Sequence, residues 1–404
     1  MEFYTYTLPN GIRGIHRRTP SSVTHCGLII GAGTRDEQRG EYGLAHFTEH
    51  GLFKGTTHRR AYQVNCRLEN LGGELNAFTT KEDTTIHATT LKGDFRKAME
   101  LISDIAFCST FPDREMDRER DVVYDEINTY KDSPSDMIYD NFEDRLFSGS
   151  QLGHNILGVK RDIRGFSSAT IRRFVERTYT TDQMVFSSIG GVSHKRVEEL
   201  ANRYFGEYAA TTRNFERVAT SKVTPFVQEE SHRTHQTHCI IGGEAYSIMD
   251  PRRLPLALLV NILGGPSANS LLNVLVREKH GLTYNVEANY TPYSDTGMMT
   301  IYFSSESSNA QRVEELIRGE IDRLRSVELT PRQLSMAKRQ FMAQLAISME
   351  SNEGYMLGAG KSYLLHGAVE SVEESYRRVA ALTASDIQAV ACDVFDDLSM
   401  LVYK

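Results

Sequence analysis

Tyr42-Gly43-Leu44-Ala45-His46-Phe47-Thr48-Glu49-His50-Gly51-Leu52-Phe53-Lys54-Gly55 is the stretch from which the rest of the chain can be read. Leu44, Phe47 and Phe53 recur at roughly helical spacing between glycines, which predicts a short buried helix. Residues four apart on a helix stand one turn above the other on one face, so His46 and His50 can aim their ring nitrogens at a single tetrahedral zinc about 2 Å away. Glu49 lies beside them. Zinc brings the pKa of a coordinated water from about 16 to near 7, and a neighbouring carboxylate is then placed to act as general base. Two imidazoles also require a third protein ligand and leave a fourth position open.

The candidates for that third ligand lie on a later helix. Pro112 marks its first turn, and the pattern runs to about Tyr130, with Val122, Val123 and Ile127 as the inner stripe and Arg114, Arg118 and Arg120 on the solvated side. Glu126, flanked by Val123 and Ile127, sits at the edge of the stripe, where a carboxylate needs a partner. Glu119 is seven residues earlier and shares that face. Spacing alone leaves both open.

Around these helices the first half alternates between strands and helices. Two strands cover residues 11–17 and 24–30, with a turn at Pro20-Ser21-Ser22. A helix from about Ala61 to Leu71 precedes Gly72-Gly73 and a hairpin of residues 74–79 and 84–89. Asp94 is expected to cap a helix whose apolar face is Phe95, Ala98, Leu101, Ile102 and Ile105. Periodicity fades after residue 205. Residues 209–220 read as a linker between a domain of residues 1–208 and a second of residues 221–404.

The second domain repeats the first. Thr24-His25-Cys26 returns as Thr237-His238-Cys239, while Ser168-Ala169-Thr170-Ile171, Tyr179 and Met184-Val185-Phe186 return as Ala384-Ser385-Asp386-Ile387, Phe395 and Met400-Leu401-Val402. Leu258 to Gly264 takes the place of the His46 helix without either histidine. The helix at Pro331 replaces the one at Pro112, with Lys338 near the place of Glu119 and Leu345 near that of Glu126. One domain holds the candidate metal, and its copy lacks every candidate ligand. The fold class expected is α+β: two homologous domains, each a mainly antiparallel sheet packed with helices.

Composition limits the function classes. A chain of 404 residues is long for one core and suggests two domains of roughly 200. The net charge of -7, without any basic cluster, argues against nucleic acid or an anionic membrane as partner. Cys26, Cys66, Cys108, Cys239 and Cys392 are odd in number and scattered, so they read as reduced thiols. The N-terminal residues lack the pattern of a targeting segment, and no window approaches 18 uninterrupted apolar residues, so a cytoplasmic address is expected.

The chain resembles the pitrilysin-type (inverzincin, M16) zinc metallopeptidases of the short two-domain class that includes the mitochondrial processing peptidase and its bacterial relatives. The resemblance spans nearly the whole chain: Leu8-Pro9-Asn10-Gly11, Gly31 to Glu37, His46-Phe47-Thr48-Glu49-His50, Gly72 to Ala77, Glu119 through Glu126, and Arg277 to Tyr284. It differs at Thr48, where relatives often carry an apolar residue. The resemblance implies one zinc ion per subunit, held by His46, His50 and Glu126, with Glu49 as base and Glu119 acting on the ligands. It implies that Arg277 and Tyr284 help stabilise the oxyanion. It further implies an extended peptide substrate added as a strand beside Asn76, Ala77, Phe78 and Thr79, and a clamshell homodimer. Two alternatives are an inactive structural or regulatory subunit of a peptidase complex and a zinc hydrolase acting on a non-peptide substrate.

Overall fold

Leu28-Ile29-Ile30, Met184-Val185-Phe186 and Cys239-Ile240-Ile241 carry no polar alternate, so strands built from them need cover on both faces. A computed structural model, which describes residues 3–404, shows how each face is covered. The strands are β1 Tyr4–Thr7, β2 Arg13–Arg18, β3 Val23–Ile30, β4 Glu74–Thr79, β5 Thr84–Leu91, β6 Met184–Gly190, β7 Val227–Glu230, β8 Thr237–Ala245, β9 Asn285–Pro292, β10 Gly297–Ser305 and β11 Ser399–Tyr403. One sheet has the order β1-β2-β6-β3-β5-β4 and the other β7-β11-β8-β10-β9. In the first, β2 and β6 run parallel and every other pair is antiparallel; in the second, β7 and β11 are the parallel pair. The internal repeat is therefore a repeat of topology. The strands holding Thr24-His25-Cys26 and Thr237-His238-Cys239 occupy the same place in their sheets, and only β1, which the alternation did not suggest, has no counterpart.

The helices that concern the candidate site are α1 Leu44–Leu52, α2 Ala61–Glu69, α3 Phe95–Cys108, α4 Asp113–Lys131 and α5 Pro134–Leu146. On one face of the first sheet, Cys26, Leu28, Ile30 and Phe186 pack in a core with Phe95, Ala98, Leu101, Ile102 and Ile105 of α3. Side chains that alternate with these, Ile15 and Val185, pack with Ala359 of the helix Asn352–His366. The second sheet mirrors this. Cys239, Ile241 and Val402 enter a core with residues of the helices Arg253–Gly264 and Ala384–Val394, while Ile240, Leu401 and Tyr403 pack with Ile138, Phe142 and Leu146 of α5. Each sheet thus takes one covering helix from the other half of the sequence. The chain accordingly forms two compact units, residues 1–128 with 154–218 and 347–371, and residues 129–153 with 219–346 and 372–404.

Gly360 permits one of these close approaches. A Cβ built there would stand 2.5 Å from Ile29 Cδ1 and 2.9 Å from Ser187 Cβ. Substituting leucine improves helix propensity by about 1 kcal/mol, but forcing a side chain into a packed face costs about 1–3 kcal/mol, so crowding wins. Gly360→Leu should lower the urea midpoint of unfolding. A midpoint at or above that of the wild type would show that the helix Asn352–His366 does not press on β3 and β6.

From residue 209 to 226 the chain has neither helix nor strand. Part of it is nevertheless held: Arg217 pairs with Asp36 at 2.8 Å and donates to the Glu82 carbonyl at 2.7 Å, and the fully buried Arg35 reaches both Glu82 at 2.7 Å and the Val218 carbonyl at 3.1 Å.

Two local expectations are corrected. Asp94 occupies the cap position of α3, but its carboxylate accepts from Lys97 Nζ at 2.8 Å and makes no bond to the helix backbone. Val122 is 45% exposed, because the buried stripe of α4 is the narrow row Met116, Glu119, Val123 and Ile127. The cysteines are free thiols, and burial pushes the Cys26 thiol up to about 12. Among the described residues, no helix is long and apolar enough to cross a membrane.

Candidate metal centre

The position of α1 is set from its N-terminal end. Glu37, fully buried, accepts from the amides of Ala45 at 2.7 Å and Gly43 at 3.0 Å, and from His154 Nε2 at 2.7 Å. A carboxylate there answers the unpaired amides and the positive end of the helix. Burial raises the Glu37 pKa, and these donors oppose the rise. At the other end, a Cβ on Gly51 would lie 2.8 Å from the Phe111 ring and 3.3 Å from Met116 Sδ. Glycine at that point lets the segment leading into α4 lie against α1, and α4 carries the carboxylates.

The two helices bring three ligand atoms together. His46 Nε2 stands 3.2 Å from His50 Nε2, and Glu126 Oε2 lies 3.7 Å from the first and 3.6 Å from the second. Ligands placed tetrahedrally at zinc bond lengths are separated by about 3.3–3.5 Å, so this triangle fits the ion. The charges fit as well. Burial, with His50 alongside, depresses the His46 pKa to about 3, which leaves a neutral imidazole with a lone pair to offer. His50 Nδ1 meets Glu119 Oε1 at 2.8 Å, so the ring carries its proton there and turns the Nε2 lone pair toward the triangle. Desolvation lowers the His50 pKa, but the Glu119 bond and the charges of Glu126, Glu49 and Glu119 outweigh it and hold it above its ordinary value. A metal ion on Nε2 would take the place of that second proton. Glu119 is shielded too, yet its bonds to His50 and Lys54 overcome desolvation and keep its carboxyl low.

Glu49 projects beside the triangle from α1. Thr79 is close enough to influence its carboxylate. Burial raises the Glu49 pKa, opposed by Thr79 and His50, while Glu126 adds to the rise. Thr79 ends β4, the edge strand of its sheet, so Asn76, Ala77, Phe78 and Thr79 lie on a strand whose outer side has no partner strand among the described residues. Arg277 and Tyr284 belong to the other unit. Arg277 falls in a π-helical stretch, Asn273–Lys279, for which the sequence offered no signal, and Tyr284 is 88% exposed. Both line a cavity of about 470 Å³ with Thr283, Ser304 and Ser305. A second group with ligand chemistry, His58, Asp104 and Cys108, has another explanation. Asp104 already accepts from Thr56 at 2.8 Å, from His58 at 2.6 Å and from Arg59, and so fastens the loop after α1 onto α3.

Two supporting residues, Glu37 and Lys54, carry no signal of their role in the sequence. Lys54 lies inside the motif stretch and Glu37 inside the Gly31 to Glu37 segment, but partnerships between distant segments leave no periodic trace.

Comparison with known proteins agrees with this architecture. Residues 15–160 match the family model described as Insulinase (Peptidase family M16), and residues 165–341 match the one described as Peptidase M16 inactive domain. An uncharacterized zinc protease of Bacillus subtilis (strain 168) is 31% identical over 402 residues, covering 97% of this chain and 95% of the relative. An uncharacterized zinc protease of Streptomyces coelicolor is 31% identical over 399 residues, covering 96% and 86%. The chain belongs to peptidase family M16. The crystal structure of a protease from Helicobacter pylori superposes with a TM-score of 0.92 at 20% identity, covering 100% of this chain and 99% of that one. A peptidase M16 inactive domain from Pseudomonas fluorescens superposes with a TM-score of 0.93 at 18% identity, covering 100% and 98%.

Proposed function

We propose that the protein is a zinc-dependent endopeptidase that hydrolyses extended peptides inside an enclosed chamber. The observation that carries this reading is the convergence of His46, His50 and Glu126 beside Glu49 in a chain of peptidase family M16. His46, His50 and Glu126 would hold one zinc ion per subunit. Zinc bound there supplies Lewis acidity to the attacking water and to the scissile carbonyl. Glu49 takes the proton of the attacking water and delivers it to the leaving amine. Glu119 keeps His50 in the tautomer that faces the metal. The outer edge of β4, from Asn76 to Thr79, hydrogen-bonds the substrate backbone as an added strand, so backbone extension counts for more than side-chain identity. Arg277 and Tyr284 donate to the substrate carbonyl and steady the developing oxyanion. The working unit is a homodimer in which the zinc residues of one copy act with Arg277 and Tyr284 of the second.

The test is hydrolysis of a quenched fluorescent peptide library by zinc-loaded protein, with and without a chelator. Cleavage should disappear on chelation and return with zinc. No cleavage at all, or cleavage indifferent to the chelator, would sink the reading. A second arm addresses the homodimer with Glu49→Gln and Arg277→Ala chains, each nearly inactive alone. After free exchange half of the dimers are mixed and half of their sites are intact, so an equal mixture should recover about a quarter of wild-type activity. A mixture as inactive as its parents, once exchange is demonstrated, removes the shared site.

A further inference from the structure

The carboxylate that orients His50 is itself held, by a residue with no part in the chemistry above. Glu119 Oε1 meets His50 Nδ1 at 2.8 Å, and Glu119 Oε2 meets Lys54 Nζ at 2.6 Å. The Glu119 side chain is 8% exposed and that of Lys54 24%. Lys54 stands just past the end of α1, where its amide bonds the Gly51 carbonyl at 3.1 Å. The ammonium is thus anchored to the helix that carries His50, while Glu119 comes from α4. His50, Glu119 and Lys54 close a ring across the two helices.

We propose that Lys54 is a positioning residue for the metal centre: it fixes the Glu119 carboxylate so that Oε1 stays on His50 Nδ1 and the Nε2 lone pair stays aimed at His46 and Glu126. The inference rests on the zinc reading of the site. The terminal torsion of a glutamate is broad, so a carboxylate with a single partner turns freely and holds that partner loosely. A second, charged partner on the other oxygen removes the freedom. Removing it also leaves a shielded carboxylate without a cation, which favours rearrangement toward water.

Lys54 could affect a bound dication in two ways, and they have opposite signs. Its charge repels the ion, so electrostatics alone predicts tighter zinc binding when the lysine is removed. Positioning predicts weaker binding.

The experiment is zinc affinity by competition with a chromophoric chelator, for wild type, Lys54→Met, Glu119→Gln and the double variant. Lys54→Met should bind zinc about tenfold more weakly, at the low end of the loss found when a group behind a metal ligand is removed. In the Glu119→Gln background the same change should cost nothing further, because the lysine acts through that carboxylate. Lys54→Arg, which keeps a charged donor, should recover most of the affinity. If Lys54→Met fails to fold, Lys54→Gln, a neutral donor, carries the test with the same sign and a smaller loss. Unchanged or tighter binding in Lys54→Met overturns the inference, as does an equal loss in both backgrounds. A wild type that binds no zinc overturns the zinc reading itself, so the two failures are distinct.

Discussion

Glu49→Gln should keep its fold and its zinc and lose peptide hydrolysis by at least about 100-fold. The amide has nearly the volume of the carboxylate, so the local packing should persist. It cannot take a proton from the attacking water. Because Glu49 lies beside the ligand triangle and is not one of its corners, metal content and activity should separate. Elemental analysis should find one zinc per chain in the variant, and near-normal turnover of a fluorogenic peptide would eliminate Glu49 as the base. If zinc and activity vanish together, Glu49 helps to hold the metal, and the base must be sought elsewhere.

Glu126→Gln and Glu119→Gln should part company when zinc is measured. Glu126 supplies an oxygen within 3.7 Å of both ring nitrogens that face the triangle, and it is the one anionic corner. Replacing it leaves the two imidazoles without an anionic third ligand, and the variant should be isolated without zinc. Glu119 touches His50 from behind, so its replacement should leave a site that still loads but about 10- to 100-fold more weakly. Equal zinc loss in the two variants, or none in either, would show that the ligand has been misassigned. Direct titration of apo-protein with zinc reports this without reference to activity.

The sequence made the centre of the site legible because both of its helices are periodic. The four-residue step from His46 to His50 and the seven-residue step from Glu119 to Glu126 each predict a shared face, and the structure turns those faces toward each other. Spacing could not choose between Glu119 and Glu126, since a carboxylate on the metal side and one behind a ligand obey the same period. Val122 was misread because the buried row of α4 is narrow, and a residue one position off that row faces out. The strands at residues 11–17, 24–30, 74–79 and 84–89 were legible from their patterns, and the repeat implied that the two sheets share one topology, but β1 and the order of strands within a sheet were not legible. What covers their second faces was not: α5 and the helix Asn352–His366 are ordinary helices in sequence, and nothing local says which sheet they join.

That assignment of helices has a consequence on the ribosome. The last strand of the first sheet to be made ends at Gly190, but the helix that covers Ile15 and Val185 ends only at His366. At translation rates of 5–20 residues per second, roughly 10–35 s separate the two events. Through that interval the emerging half can build the helices α1 and α4 and one core, while the opposite face of the same sheet stays bare. The helix α5 faces the reverse delay: it is complete at Leu146, and the strand β11 against which it packs begins only at Ser399. Neither half of this sequence is a finished folding unit by itself, because each sheet needs a helix from the other half to close its second face.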